Sequence, residues 1–313
     1  MASLGARARA ALVVAVLAAL LVGCPGNRHA VGSPEGQTIP AGQSSQSIEW
    51  AGSSRTFHLY RPQGLTGAAP LVVMLHGGFG NGAQAEHSYH WDREADRGNF
   101  LVAYPDGQGR AWNAGSCCGN PAHSQIDDVG FITATVRVIG KQTAIDPARV
   151  YVTGMSNGAM MSLRLACDTD IFAAVAPVAG TMVTNCSRAR PTSVLQIHGT
   201  ADASVPYNGG PGKTLKSDGS PRVDGPPVPM VTAAWRAIDR CPAPSSTASG
   251  VVTTETAACP EGRTVQLISV ADAGHQWPGG VRGPVLDRLG LPELSTALDA
   301  TDTIWQFFAQ HHR

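Results

Sequence analysis

Val150-Tyr151-Val152-Thr153-Gly154-Met155-Ser156-Asn157-Gly158-Ala159-Met160 is the stretch from which the rest of the chain can be read. Its first four residues are β-branched or aromatic, the composition of a buried strand, and residues 159–167 continue in helix-forming residues. Between them lies Gly-x-Ser-x-Gly. A serine on a tight strand-to-helix turn must hold strained backbone angles, and glycines two residues to either side let neighbouring chain pass close. The turn lifts the hydroxyl above the sheet edge at a helix N-terminus, where partial positive charge favours a developing anion. In a chain with 36 glycines the spacing alone is weak, and its place between strand and helix gives it weight. The competing reading is a glycine-rich turn with a solvated serine.

Outward from that turn, residues 70–75, 100–105 and 173–178 are apolar runs of strand length, and 193–197 and 264–270 read as further strands. Residues 55–60 alternate in the manner of a half-buried strand. Residues 84–97, 126–141, 231–239 and 295–311 read as helices, the second with Asp127 and Asp128 in its first turn, where negative charge is favourable. Apolar strands alternating with helices predict an α/β fold: a mostly parallel central sheet covered by helices on both faces. Residues 204–229 are rich in Gly and Pro without periodicity and read as a loop-rich insertion over the domain. No internal repeat is present.

The chain has 313 residues, 43% of them hydrophobic and 15% charged, enough for one large domain with a substantial core. Lys+Arg and Asp+Glu both number 23, so no basic stripe points to nucleic acid and no acidic run to a solvating tail. Arg7 and Arg9 precede an apolar run at 10–22, too short to span a bilayer comfortably, which marks residues 1–23 as a signal peptide. Leu21-Val22-Gly23-Cys24 resembles the lipobox of bacterial lipoproteins. That resemblance implies cleavage before Cys24 and a lipid anchor on its thiol; the alternative is an ordinary secretory signal. Residues 24–47 read as a flexible tether and 48–313 as the globular α/β domain.

Export places the cysteines in an oxidising compartment. Setting Cys24 aside for lipid leaves six of seven. Cys241 and Cys259 flank a low-complexity loop at 242–258 and are the favoured disulfide, with Cys167–Cys186 next. Cys117 and Cys118 are left to pair with each other or stay reduced. No Cys-x-x-Cys spacing suggests a metal, and none is expected.

In a sheet of this kind ligands gather at the carboxyl ends of the strands. Ser156, Asp202 and His275 each follow a predicted strand, in the order Ser, Asp, His that α/β-hydrolases use. The chemistry requires these types: a serine hydroxyl is a poor nucleophile until an imidazole takes its proton, and the imidazole needs a carboxylate to fix its tautomer and stabilise its charged form. Asp272 is the rival acid. Asp202 could also be a turn cap. Among the other histidines, His76 and His198 end strands and read as loop braces, His87 and His90 as a surface helix, His29 as tether, and His311 and His312 as solvated. The tetrahedral oxyanion would be held by the backbone N–H of Asn157 and by that of Gly78, with Phe79 the neighbouring possibility. This glycine-rich loop lacks Gly-Lys-Ser/Thr, which weakens a phosphate reading. Trp112, Asn113 and Trp277 could line a substrate pocket or be core packing.

Leu75-His76-Gly77-Gly78, the stretch from Trp112-Asn113 to Cys117-Cys118-Gly119, Asp127-Asp128-Val129-Gly130-Phe131, Gly154-Met155-Ser156-Asn157-Gly158, His198-Gly199-Thr200-Ala201-Asp202 and Gly274-His275-Gln276-Trp277-Pro278-Gly279-Gly280 together resemble the polyhydroxybutyrate depolymerase and feruloyl esterase family. The resemblance runs from about residue 50 to the C-terminus. It implies an α/β-hydrolase serine esterase with Ser156, Asp202 and His275 as triad and no cofactor. It places the double cysteine near the active-site entrance, and it covers short acyl, hydroxyalkanoate and hydroxycinnamoyl esters, small or oligomeric. Two other classes use the same scaffold: a non-catalytic surface lipoprotein and a serine peptidase.

Overall fold

The computed structural model of the chain describes residues 39–281 and 293–313. The strands are β1 (Gly42–Trp50), β2 (Ser53–Arg61), β3 (Ala69–Leu75), β4 (Leu101–Pro105), β5 (Ile145–Met155), β6 (Ala174–Val178) and β7 (Ser193–Gly199). They are followed by the short β8 (Gly210–Pro211) and β9 (Asp224–Gly225), then β10 (Ser245–Ser249), β11 (Val252–Ala258) and β12 (Thr264–Val270). Ten of them form one sheet in the order β1-β2-β4-β3-β5-β6-β7-β12-β11-β10. The six from β4 to β12 in that order run parallel, and an antiparallel pair closes each edge.

The helices are α1 (Gly82–Ser88), α2 (Trp91–Gly98), α3 (Gly119–His123), α4 (Asp128–Gln142), α5 (Asn157–Asp168), α6 (Val228–Ile238) and α7 (Ala300–Ala309). Alternation along β3 shows how they cover the sheet. Leu71, Val73 and Leu75 join one buried cluster with Phe131 of α4, Leu163 of α5 and Trp235 of α6. Val72 and Met74 join the other, with Trp91 of α2 and Phe308 of α7. A strand buried on both faces has to be apolar throughout, which is why β3, β4 and β6 carry no polar side chain outside the Tyr104 hydroxyl.

Four expectations change. β1 starts at Gly42, inside the segment read as tether, and pairs with β2 from Gly42–Arg61 to Trp50–Ser53. Its Ser- and Gln-rich sequence alternates exposed and half-buried side chains, so backbone hydrogen bonding at a sheet edge holds it without an apolar pattern. The loop at 242–258 is the hairpin of β10 and β11, turning at Gly250 with φ 57°. The single helix read at 84–97 is two, because His90 takes a left-handed φ of 59°. His311 is buried rather than solvated: its carbonyl accepts the Tyr151 hydroxyl at 2.7 Å, and its Nδ1 lies 2.7 Å from the Phe307 carbonyl. The segments read as signal peptide and Cys24 anchor, and most of the tether, lie outside the described residues. Within 204–229, β8, β9 and a Leu215–Pro221 bridge precede α6, which starts at Val228.

Disulfides join Cys117 to Cys118, Cys167 to Cys186 and Cys241 to Cys259. Asp239 lies with Cys241 and Cys259 in a group of close donor atoms, but sulfurs bonded to each other are not a ligand pair.

Candidate active site

β5 runs straight into Ser156, which adopts φ 56° and ψ −115°, and α5 begins at the next residue. An L-residue there is strained, and the surroundings hold it: its N–H donates to the Val178 carbonyl at 2.9 Å, and its carbonyl accepts from Met160. The flanking glycines are steric requirements. A Cβ on Gly154 would lie 2.5 Å from the carbonyl carbon of Gly158, and one on Gly158 would collide with the Leu75 carbonyl of β3.

His275, on the loop after β12, places Nε2 2.8 Å from Ser156 Oγ and Nδ1 2.8 Å from Asp202 Oδ2. A carboxylate can only accept, so Nδ1–H donates to it and the lone pair of Nε2 faces the serine hydroxyl. Asp202 sits just beyond β7, buried, with Oδ1 accepting the N–H groups of Ser204 and Val205, both at 2.8 Å. The buried His198 adds to this. Its Nε2–H donates to the Val205 carbonyl at 2.9 Å and lies 3.3 Å from Asp202 Oδ2, while its Nδ1 has no partner. Burial raises the Asp202 carboxyl, but the hydrogen bonds from His198 and His275 outweigh it and hold the group well below the usual carboxylate range. The acid therefore stays ionised at neutral pH. Asp272, the rival, is exposed and engages Thr200 through its N–H instead.

The loop after β3 passes beside this turn. A Cβ on Gly77 would lie 3.6 Å from Ser156 Cβ, and one on Gly78 4.0 Å from Asn157 Cβ. The Phe79 N–H, the neighbouring candidate donor, is taken up by the Arg110 carbonyl at 2.8 Å. His76 braces the loop: Nε2 accepts the Gly107 N–H at 2.9 Å, so Nδ1–H donates to the Gly77 carbonyl at 2.8 Å. Burial lowers its pKa and keeps it neutral, the state this pair of bonds requires.

The three side chains read as either pocket wall or core packing are buried. Trp112 is fully buried, its Nε1–H donating to the His76 carbonyl at 2.9 Å. Asn113 spans its own loop by donating to the Ile126 carbonyl. Trp277 stacks on Tyr89, with centroids 4.6 Å apart, and donates to Thr301. An indole or amide on a loop has the right size for a pocket wall, but here each polar atom is turned inward to a partner.

Two bracing roles were not anticipated. The Asn157 side chain accepts the Trp112 N–H at 2.7 Å and donates to the Trp112 carbonyl at 3.1 Å, tying the start of α5 to the neighbouring loop. Asp128, expected only as a favourable first-turn charge, accepts Arg55 at 2.8 Å and the Asn113 N–H at 2.8 Å. Asp127 takes the cap instead, accepting from Gly130. The double acid before a helix was a visible signal, and it divides into one cap and one inward anchor.

Residues 55–206 match the family model described as esterase PHB depolymerase. The chain is 32% identical over 285 residues to the putative esterase NocK of Nocardia uniformis subsp. tsuyamanensis, covering 83% of this chain and 81% of that protein. It is 31% identical to feruloyl esterase B of Piromyces equi over 71% of this chain, spanning 42% of that protein's length. Among solved structures, an acetyl xylan esterase from Aspergillus awamori superposes with a TM-score of 0.56 at 17% identity, over 79% of this chain and 98% of that one, a likeness of fold. With a helix-covered parallel sheet and a serine elbow at its centre, the chain belongs to the esterase PHB depolymerase family and is a carboxylic ester hydrolase on an α/β-hydrolase fold.

Proposed function

We propose that the chain is an exported serine esterase that cleaves esters through a covalent acyl-enzyme. Ser156 Oγ attacks the ester carbonyl while His275 Nε2 takes its proton. Asp202 fixes the imidazole tautomer and stabilises the imidazolium that forms. The N–H groups of Asn157 and Gly78 receive the oxyanion, and the α5 N-terminus adds its dipole. His275 returns the proton to the leaving alcohol, the acyl group stays on Ser156, and water activated by His275 then releases the acid. No step needs a metal or organic cofactor. The observation that carries this reading is the Ser156–His275–Asp202 chain with both links at 2.8 Å.

The substrate classes follow from kinship: hydroxyalkanoate esters from the matched family model and hydroxycinnamoyl esters from the feruloyl esterase relative, with short acyl esters as the general case. The N-terminal 23 residues are proposed to direct export, with Cys24 carrying lipid; Cys24→Ala should then move the protein from the membrane to the soluble fraction. A fluorophosphonate probe tests the catalytic reading. Stoichiometric labelling that disappears in Ser156→Ala is expected, and a wild-type protein that resists the probe while remaining folded would sink it.

A further inference from the structure

Phe79 follows the oxyanion-loop residue Gly78, holds a left-handed φ of 66°, and leaves its ring 62% exposed. Its backbone N–H is held by the Arg110 carbonyl at 2.8 Å. The Arg222 guanidinium lies over that ring, 4.6 Å from its centroid. The pair leaves most of Phe79 open to solvent.

Arg222 also forms one wall of a groove of about 710 Å³ that runs between the loop at 115–119 and the arm at 214–222. That volume falls in the range of small-molecule sites. Its charge is uneven. Lys216, Arg222 and His123 line it with a single carboxylate, Asp218. Asp218 is held by Ser220, with Oδ1 accepting its N–H at 2.9 Å and its hydroxyl at 2.6 Å, and stays ionised within reach of the Lys216 charge, so the lining carries an excess of positive charge and not an unopposed one. Among the described residues, neither Lys216 nor Arg222 has a carboxylate at ion-pair distance. The arm itself is ordered, with the Arg222 N–H on the Thr214 carbonyl and the Lys216 N–H on the Ser220 carbonyl, both at 2.8 Å. Two cations are thus held on a defined hairpin beside an open aromatic ring that borders the oxyanion loop.

We propose that this groove is a subsite for esters bearing a carboxylate, with the chain or ring of the substrate against Phe79 and the carboxylate between Arg222 and Lys216. The assignment rests on the esterase reading above and adds the substrate class to it. Arginine suits the task because its planar fork can hold a carboxylate through two hydrogen bonds while stacking on an aromatic face.

The carboxylate could belong to the alcohol or the acyl portion, and two matched pairs separate these: 4-acetoxybenzoate against 4-acetoxybenzamide, and methyl hydrogen glutarate against its amide. The wild-type enzyme should turn over the charged member of at least one pair with kcat/KM about fivefold or more above the neutral one at low salt, an advantage that shrinks as salt screens it. Arg222→Gln should erase most of that ratio and Lys216→Gln part of it. Lys141→Gln, a cation on α4 away from the groove, should keep it. Equal rates for both members of both pairs, or a ratio unchanged in Arg222→Gln, would overturn the subsite while leaving the esterase intact. Binding of benzoate to the Ser156→Ala protein, followed by calorimetry, reads the groove without turnover. Binding lost in Ser156→Ala/Arg222→Gln supports the subsite even if no ester is cleaved, and absence of binding in Ser156→Ala counts against it.

Discussion

The Asn157 side chain clamps both backbone groups of Trp112, and the proposed mechanism gives its backbone amide to the oxyanion. Asn157→Ala leaves the buried Trp112 N–H unpaired, while the Trp112 carbonyl keeps the Ala114 and Cys118 N–H groups, so a loss of about 1 kcal/mol or more is expected in denaturant unfolding, with a parallel fall in kcat. His198 acts through Asp202. Its hydrogen bond lowers the acid's pKa, so His198→Phe should raise the pKa of the Asp202 carboxyl, read by carbon-13 NMR titration. An unmoved carboxyl titration would show that the 3.3 Å approach carries no interaction. That Ser156, Asp202 and His275 come together could be anticipated from sequence, because each follows a strand of the sheet. The placement of Trp112 and Trp277 could not, since the direction of an indole N–H depends on the fold around it.

The β10–β11 hairpin shows what an element can conceal. All five residues of β10 are exposed, so no buried face imposes a period, and the segment reads as low-complexity loop. Register with β12 and the Cys241–Cys259 bridge define it instead. Removing that bridge with Cys241→Ser/Cys259→Ser should cost about 3 kcal/mol through the unfolded state. Asp239, at the C-terminal end of α6, offers a pH test. Burial raises its pKa to about 6, against the opposing Thr192 N–H and Arg263. A carboxyl raised on folding stabilises fully below its ordinary value of 3.8, and that contribution is lost as pH rises through about 6. Stability of the wild type should therefore decline between about pH 4 and 6 by an amount that Asp239→Asn removes. Identical pH profiles for the two proteins would contradict the burial argument.

At the scale of the whole molecule, the edges of the sheet were harder to read than its centre. Strands buried on both faces declare themselves by continuous apolar sequence, whereas β1 is Gly-Gln-Ser-Ser-Gln-Ser before its first large apolar residue, Ile48. The boundary therefore belongs at or before Ile39, which packs in the core cluster of β3 and α4. A protein beginning at residue 48 loses that side chain and most of the β1 ladder. It should be less stable by about 2 kcal/mol or more, on the order of 5 °C in Tm, than one beginning at 39. Equal melting temperatures would show that β1 contributes nothing to the domain.

The central claim is that Ser156 becomes acylated during turnover. Rapid acid quench of the enzyme with 4-nitrophenyl acetate, followed by peptide mass spectrometry, tests it directly. The account predicts an acetyl increment on the peptide containing Ser156, absent in Ser156→Ala and strongly reduced in His275→Ala. Ester hydrolysis at wild-type rate by Ser156→Ala, or an acetyl group that maps to any other residue, would contradict it.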